Sequence, residues 1–128
     1  MKGTIVFIVL LIHGIGHLQG VFISLGLKDF GSWNANSWIL KSWFSVDAQR
    51  VICLIIFLFT ALLTLAGAFS YKGLWLPVDW WNQLILGSAI LSTIAMVFYP
   101  NAFAMFFNKA GAVVVNLLIF YTLFISGK

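Results

Sequence analysis

The stretch VDAQRVICLIIFLFTALLTLAGAFS, residues 46–70, decides the fold of this chain. Beyond Arg50 it contains no charged residue, and as a helix it is long enough to cross the roughly 30 Å hydrocarbon core of a bilayer. Because backbone N–H and C=O groups find no water in hydrocarbon, a spanning segment must bond its own backbone as a helix. The stretch therefore predicts a transmembrane helix.

Three more apolar stretches of similar length give four predicted spans, at about residues 4–27, 46–70, 79–99 and 109–126. The chain of 128 residues is 62% hydrophobic and 8% charged, which is too little charge to cover a water-facing surface. These features predict one all-α domain over residues 1–128, an integral membrane bundle of four transmembrane helices.

The longest connection, residues 28–45, separates the first two predicted spans and is rich in aromatic residues. Tryptophan favours the membrane–water interface. We therefore expect an interfacial aromatic loop between helices one and two, either lying flat on the bilayer as a short amphipathic helix or closing the mouth of the bundle. Its aromatic residues are Phe30, Trp33, Trp38, Trp43 and Phe44.

The charged residues indicate a membrane partner and exclude a nucleic-acid partner. The formal net charge of +4 comes from seven Lys and Arg against three Asp, and the basic residues are scattered along the chain. A nucleic-acid-binding surface requires a basic patch or stripe. Lys and Arg near the ends of spans are instead typical of anchors at the lipid headgroups. The lipid bilayer is therefore the expected partner.

The first span contains the only two histidines of the chain, His13 and His17. An ionisable side chain at bilayer depth is costly, so it marks a candidate functional site. Residues four apart lie on one face of a helix. Gly16, Gly20 and Ser24 continue the same face, and a glycine pair at this spacing favours close approach of a second helix. We therefore expect both rings to point into the bundle.

Depth along the helices predicts which polar residues of the other spans lie near this pair. At about 1.5 Å per residue from the side of the first loop, His17, Cys53, Ser92 and Asn116 fall in one layer about 10–15 Å deep. His13 is expected one turn deeper, near the middle of the bilayer. The layer therefore combines nitrogen, sulfur and oxygen donors from all four spans.

Three ligand-binding roles follow from this chemistry. Two histidines at i and i+4 are typical of metal-binding helices, and Cys53 is the best third transition-metal ligand in the chain. A histidine in an apolar bundle is also a natural axial ligand for haem. An uncharged imidazole beside Ser92 or Asn116 can instead hydrogen-bond a quinone carbonyl or relay protons.

A fourth interpretation is purely structural, with the histidines joining helices through hydrogen bonds that contribute about 0.6–2 kcal/mol each. The chain has no Glu, and its three Asp lie near helix ends, so the layer lacks a carboxylate for catalysis. We therefore favour a small accessory or ligand-binding membrane protein that is not an enzyme on its own, with a redox or quinone-interacting subunit of a respiratory-type complex as the alternative. The candidate ligand- or cofactor-binding residues are His13, His17, Ser92 and Asn116, and the candidate metal ligands are His13, His17 and Cys53.

The motif His13-Gly14-Ile15-Gly16-His17-Leu18, with Trp80-Trp81 opening the third span, resembles small four-helix bacterial membrane proteins. In size and layout the chain is more remotely similar to the DoxX-like family, whose namesake is a subunit of a terminal quinol oxidase. These resemblances imply a location in the bacterial inner membrane. A homodimer through the glycine-rich face or a larger membrane complex is the expected assembly.

Overall fold

The computed structural model describes residues 2–26, 34–102 and 106–125, and within them the chain is almost entirely helical. This confirms the predicted all-α class, with four helices long and apolar enough to cross a membrane. The long helices are α1 (Lys2–Ser24), α2 (Val46–Tyr71), α3 (Trp81–Phe98) and α4 (Phe106–Phe120). Shorter helical turns lie at Leu40–Ser42, Val78–Trp80, Pro100–Ala102 and, as a π-helical turn that extends α4, at Tyr121–Ile125.

The helix ends follow from local chemistry. α1 ends at Ser24, three residues before the predicted end of the first span, because Gly26 takes a positive φ of 68° that a helix cannot continue. α2 begins where the Ser45 hydroxyl accepts a hydrogen bond from the Ala48 N–H at 3.2 Å. The turn after α2 contains a second positive-φ glycine, Gly73.

α2 is the central helix of the bundle, because both α1 and α3 pack along it. Successive helices run antiparallel: Gly3 of α1 lies near Tyr71 at the end of α2, and Gly20 lies near Phe57. α4 packs against α3 and touches α1 only lightly. The boundary between α1 and α4 is therefore the loosest contact among neighbouring helices in the described part of the chain.

The core has two halves. One lies on the side of the first connection, where residues 34–44 are found, and includes the buried Phe57 and Tyr99. The other lies on the side of the second connection, residues 72–77, and includes the buried Ile85 and Leu10. These two sides are called the first-loop side and the second-loop side below.

Residues 34–44 pack over the first-loop ends of α2 and α3. The Ser37 N–H donates to Gln49 Oε1 at 2.9 Å, and the Trp38 indole N–H donates to the Val97 carbonyl at 2.6 Å. These hydrogen bonds tie the connection to both helices. The described part of the connection therefore covers this end of the α2–α3 pair.

The aromatic residues of this connection differ in exposure. Trp43 is 76% exposed and Phe44 is 44% exposed, which suits side chains that meet lipid headgroups. Phe30 and Trp33 lie outside the described residues. The interfacial position of the aromatic loop stays a prediction.

Candidate functional site in the crevice between α1 and α4

The contact between α1 and α2 is closed and depends on glycine. A Cβ atom added at Gly20 would overlap the ring of Phe57, and one added at Gly14 would lie 2.9 Å from Leu65 Cδ2. These approaches leave no room for a side chain. Gly20 therefore has the packing role that the sequence predicts for the small-residue face of the first span.

The contact between α1 and α4 is open. A Cβ atom added at Gly16 of α1, or at Gly111 of α4, would meet nothing within 4 Å. Both glycines line a crevice of about 280 Å³ between the two helices. The lining also includes His13, His17, Asn108 and Ala112.

The two histidines form a hydrogen-bonded pair at one wall of this crevice. Their Nε2 atoms are 3.2 Å apart, and the rings meet edge to face with centroids 4.5 Å apart. His13 is 8% exposed and His17 is 1% exposed, so the structure buries both rings. One Nε2 donates and the other accepts, which requires the accepting imidazole to be neutral.

Asn116 connects this pair to α3. Its amide Nδ2 donates to Ser92 Oγ at 2.9 Å and to Thr93 Oγ1 at 3.3 Å. Its Oδ1 is buried and accepts no hydrogen bond of normal geometry from the described residues, although the His13 side chain interacts with Asn116. A chain of polar side chains therefore runs from α3 through α4 to the histidines of α1.

Either ring of the histidine pair can be the donor of the hydrogen bond between the two rings. In both arrangements the accepting neutral ring carries its proton on Nδ1. The pair therefore has one N–H group that the hydrogen bond between the two rings does not use.

The structure brings the histidine pair, Asn116 and Ser92 together as predicted. The position of α4 along α1 differs from the prediction by about one helical turn. His13, not His17, lies beside Asn116, and His17 packs near Phe57 with ring centroids 6.2 Å apart. The stagger of α4 along α1 explains the difference. Asn108 Nδ2 donates to Gln19 Oε1 at 3.0 Å, and this pairing sets Asn116 two turns further along, at the level of His13.

Cys53 is not brought to the histidine pair. Its buried side chain lies in the first-loop half of the core, which also contains Tyr99, and its thiol interacts with Ser24. Among the residues with a described position, no group of three or more His, Cys, Asp or Glu side chains is placed to hold a metal ion. The structure therefore gives the pair no third ligand from Cys53. Haem ligation also meets an obstacle, because each Nε2 atom faces the other instead of an open axial position.

The polar contact between α2 and α3 is separate from the crevice and closed. The hydroxyls of Thr64 and Ser88 are hydrogen-bonded, and both side chains are fully buried. Thr64 Oγ1 also donates to the Thr60 carbonyl at 2.7 Å. These residues join the two helices, and none of them lines the crevice.

Sequence reasoning missed three residues of the crevice: Gln19, Asn108 and Gly111. A signal for Gly111 was present, because a glycine inside a helix costs about 1 kcal/mol relative to alanine and calls for a reason. No packing contact in the described chain supplies that reason. The polar pair Gln19–Asn108 had no such signal, since its partners are 89 residues apart in the chain.

Comparison of the chain with protein-family models, with curated proteins and with solved structures finds no match in any of the three. The resemblance to the DoxX-like family therefore stays a prediction. What the chain does must be inferred from the geometry and chemistry of the crevice.

Proposed function

We propose that this protein is an integral membrane binding protein, not an enzyme on its own, whose site is the crevice between α1 and α4. The proposed ligand is a planar, uncharged molecule that carries carbonyl groups, and a quinone headgroup is the chemistry that fits best. One observation carries the proposal. The two histidines line an open crevice in which Gly16 and Gly111 leave bare walls that no packing contact explains.

The lining of the crevice favours an uncharged ligand. Among the described side chains that line it, none carries a fixed charge, and the polar groups are the imidazoles and the Asn108 amide. An ion placed here would have no counter-ion, and an unpaired charge in hydrocarbon is very costly. A neutral carbonyl needs only a hydrogen-bond donor, which an imidazole N–H or an amide N–H provides.

The depth of the crevice favours a ligand that is soluble in hydrocarbon. His13 is the middle residue of α1, about 16 Å from either helix end at 1.5 Å per residue. The headgroup of a phospholipid does not reach this depth without leaving water, whereas a quinone ring is uncharged and enters the bilayer interior. Gly16, Gly111 and Ala112 also leave part of the lining without large side chains, which suits a planar ring.

A direct test is calorimetric titration of 2,3-dimethoxy-5-methyl-1,4-benzoquinone into the protein in lipid nanodiscs. We expect saturable binding that weakens about tenfold or more in His13→Leu, because a hydrogen bond to the ring is lost. Gly111→Leu should abolish binding by filling the slot. Val114→Leu is the control, since Val114 is on the exposed face of α4.

The same titration can contradict the proposal. Absence of saturable binding to the natural chain would refute it, and so would full binding in a folded Gly111→Leu protein. If His13→Leu and His17→Leu unfold the bundle while the natural chain binds no quinone, the histidines have the purely structural role.

A transition metal is a second candidate ligand, favoured by the spacing of the histidine nitrogens. The 3.2 Å between the two Nε2 atoms matches two imidazoles on one metal ion. With bonds of about 2.0–2.1 Å, this spacing gives an N–metal–N angle of about 100°. Elemental analysis and a Co²⁺ absorption spectrum of the purified protein test this candidate, with His17→Leu as the control. A metal-free preparation with no Co²⁺ spectrum would exclude it.

The cellular setting of the proposed function follows from the same chemistry. A small quinone-binding membrane protein suits an accessory role beside a redox enzyme, so a respiratory-type membrane complex is the proposed partner and the bacterial inner membrane the proposed location. Copurification in mild detergent tests the partner. A chain that is isolated alone, at every detergent concentration that keeps it folded, would contradict this setting.

A further inference from the structure

A second cavity continues the crevice toward the second-loop side. Its volume is about 510 Å³, and Val9 and Val115 line both cavities. The second cavity ends near Tyr71 and Trp81. The two cavities therefore lie end to end along the α1–α4 boundary, with the histidines at one end.

Both cavities are mainly apolar, but their polar groups differ. The first contains the imidazoles and the Asn108 amide. The second is lined mainly by aliphatic side chains, among them Leu10, Ile85 and Leu118, together with Tyr71, Trp81 and Thr122. Leu118 is 59% exposed, so the second cavity opens sideways into the bilayer. A molecule that fits both has a polar planar end and a long apolar end, and it enters from the lipid phase.

We infer that the two cavities form one site for a lipid quinone with a linear isoprenoid tail. The ring lies between Gly16 and Gly111 beside His13, and the tail follows the second cavity toward Trp81. The distance from Gly111 to Leu123 along α4 is about 18 Å, which accommodates several isoprene units. This inference rests on the proposed quinone-headgroup function and adds that the tail is recognised by this chain.

The shape of the site argues against two other occupants. A transmembrane helix from a second copy is about 10–12 Å across with its side chains. It is too wide for the first cavity, because α1 and α4 stay joined there through Gln19 and Asn108. A phospholipid acyl chain fits the second cavity but offers no hydrogen-bonding partner to the imidazoles and the Asn108 amide of the first.

Adjacent leucines on α4 supply a matched test. Leu118 lines the second cavity and Leu117 does not, although their exposures are similar, at 59% and 62%. Binding of the headgroup quinone is compared with binding of the same ring carrying two isoprene units, in nanodiscs. Leu118→Trp and Leu117→Trp are measured in the same lipid, so the quinone partitions into the bilayer equally in both experiments. The ratio of the two affinities therefore isolates the contribution of the cavity.

We expect Leu118→Trp to weaken binding of the tailed quinone about tenfold or more relative to Leu117→Trp, a loss of about 1.4 kcal/mol. Headgroup binding should be equal in the two variants. Equal affinities for the tailed quinone in the two variants would overturn the inference. If the headgroup still binds in a His13-dependent manner, the proposed function survives that result, whereas failure of both quinones to bind refutes both proposals.

A second measurement covers the case in which Leu118→Trp perturbs the fold. A quinone with a photoreactive group at the end of its tail is cross-linked to the natural chain, and the labelled peptides are identified by mass spectrometry. Labels at residues that line the second cavity, such as Val6 and Leu118, support the inference. Labels spread over lipid-facing positions such as Ile55 and Leu117 would overturn it, since they indicate a tail free in the bilayer.

Discussion

Glycine has opposite effects at the two helix contacts of α1, the contact with α2 and the contact with α4. Toward α2, Gly20 lies against Phe57, and any side chain there would overlap the ring. Toward α4, Gly16 lies only one turn away and faces open space. The same small-residue spacing thus closes one helix contact and leaves another open, which shows that the spacing permits close approach without requiring it.

The polar groups at closed and open boundaries differ in the same way. Thr64 and Ser88 bond each other directly between α2 and α3, and Thr64 also bonds its own helix. Between α1 and α4, His13 and Asn116 interact, but Asn116 Oδ1 completes no hydrogen bond of normal geometry with a described residue. The closed boundary thus pairs its hydroxyls directly, whereas the open boundary leaves a buried acceptor incompletely paired within the described chain.

The largest expected effect separates the two glycines of α1. Gly20→Ala should lower the free energy of unfolding by about 2–3 kcal/mol, because its Cβ overlaps the buried Phe57 ring. Gly16→Ala should change it by less than about 1 kcal/mol, toward higher stability, because alanine favours helix and meets nothing there. Unfolding in mixed micelles with increasing SDS, followed by circular dichroism, measures both.

Two results would contradict this contrast between Gly20 and Gly16. Equal destabilisation by the two alanines would mean that the α1–α4 crevice closes in the membrane. A stable Gly20→Ala protein would mean that α1 and α2 separate easily, contrary to the closed boundary described above.

A smaller effect is expected from the polar pairs. Ser88→Ala removes the interhelical hydroxyl partner of Thr64 and should cost about 1 kcal/mol, within the range measured for such bonds in membranes. Asn116→Leu should cost less than about 0.5 kcal/mol, because removal of a buried oxygen that makes no hydrogen bond of normal geometry with the described chain offsets the lost bonds to Ser92 and Thr93. The same unfolding assay distinguishes them, and a larger loss for Asn116→Leu contradicts the contrast.

The smallest effect is expected for the hydrogen bond between Gln19 of α1 and Asn108 of α4. A double-mutant cycle with Gln19→Ala and Asn108→Ala should give a coupling energy of about 0.6 kcal/mol, the average for polar pairs in a membrane protein. A coupling energy near zero would show that this pair does not set the stagger of α4 along α1.

The spans and much of the polar chain were predictable from the sequence, but the register was not. Hydropathy is a local property, so the four helices follow from short stretches read one at a time. Helical periodicity places His13 and His17 on one face. It does not say how far α4 slides along α1, and a shift of one turn exchanges the histidine that meets Asn116.

Cys53 shows that depth along a helix does not by itself predict which residues are in contact. Its predicted depth matched that of His17, yet its thiol interacts with Ser24 and its side chain lies in the core cluster of Tyr99. Depth counts residues along one helix axis, whereas contact also depends on the rotation of each helix about that axis. Rotation is set by the side chains that interlock between helices, and these come from distant parts of the sequence.

The sequence by itself determined that this chain forms four membrane-length helices and that its two histidines share one helix face. Each conclusion depends on neighbours within about two turns, so local composition and spacing suffice. Only the tertiary structure decided that Gly20 packs while Gly16 faces a crevice, and that His13 meets Asn116. Those outcomes depend on the stagger and rotation of whole helices, which many weak contacts between distant residues set together.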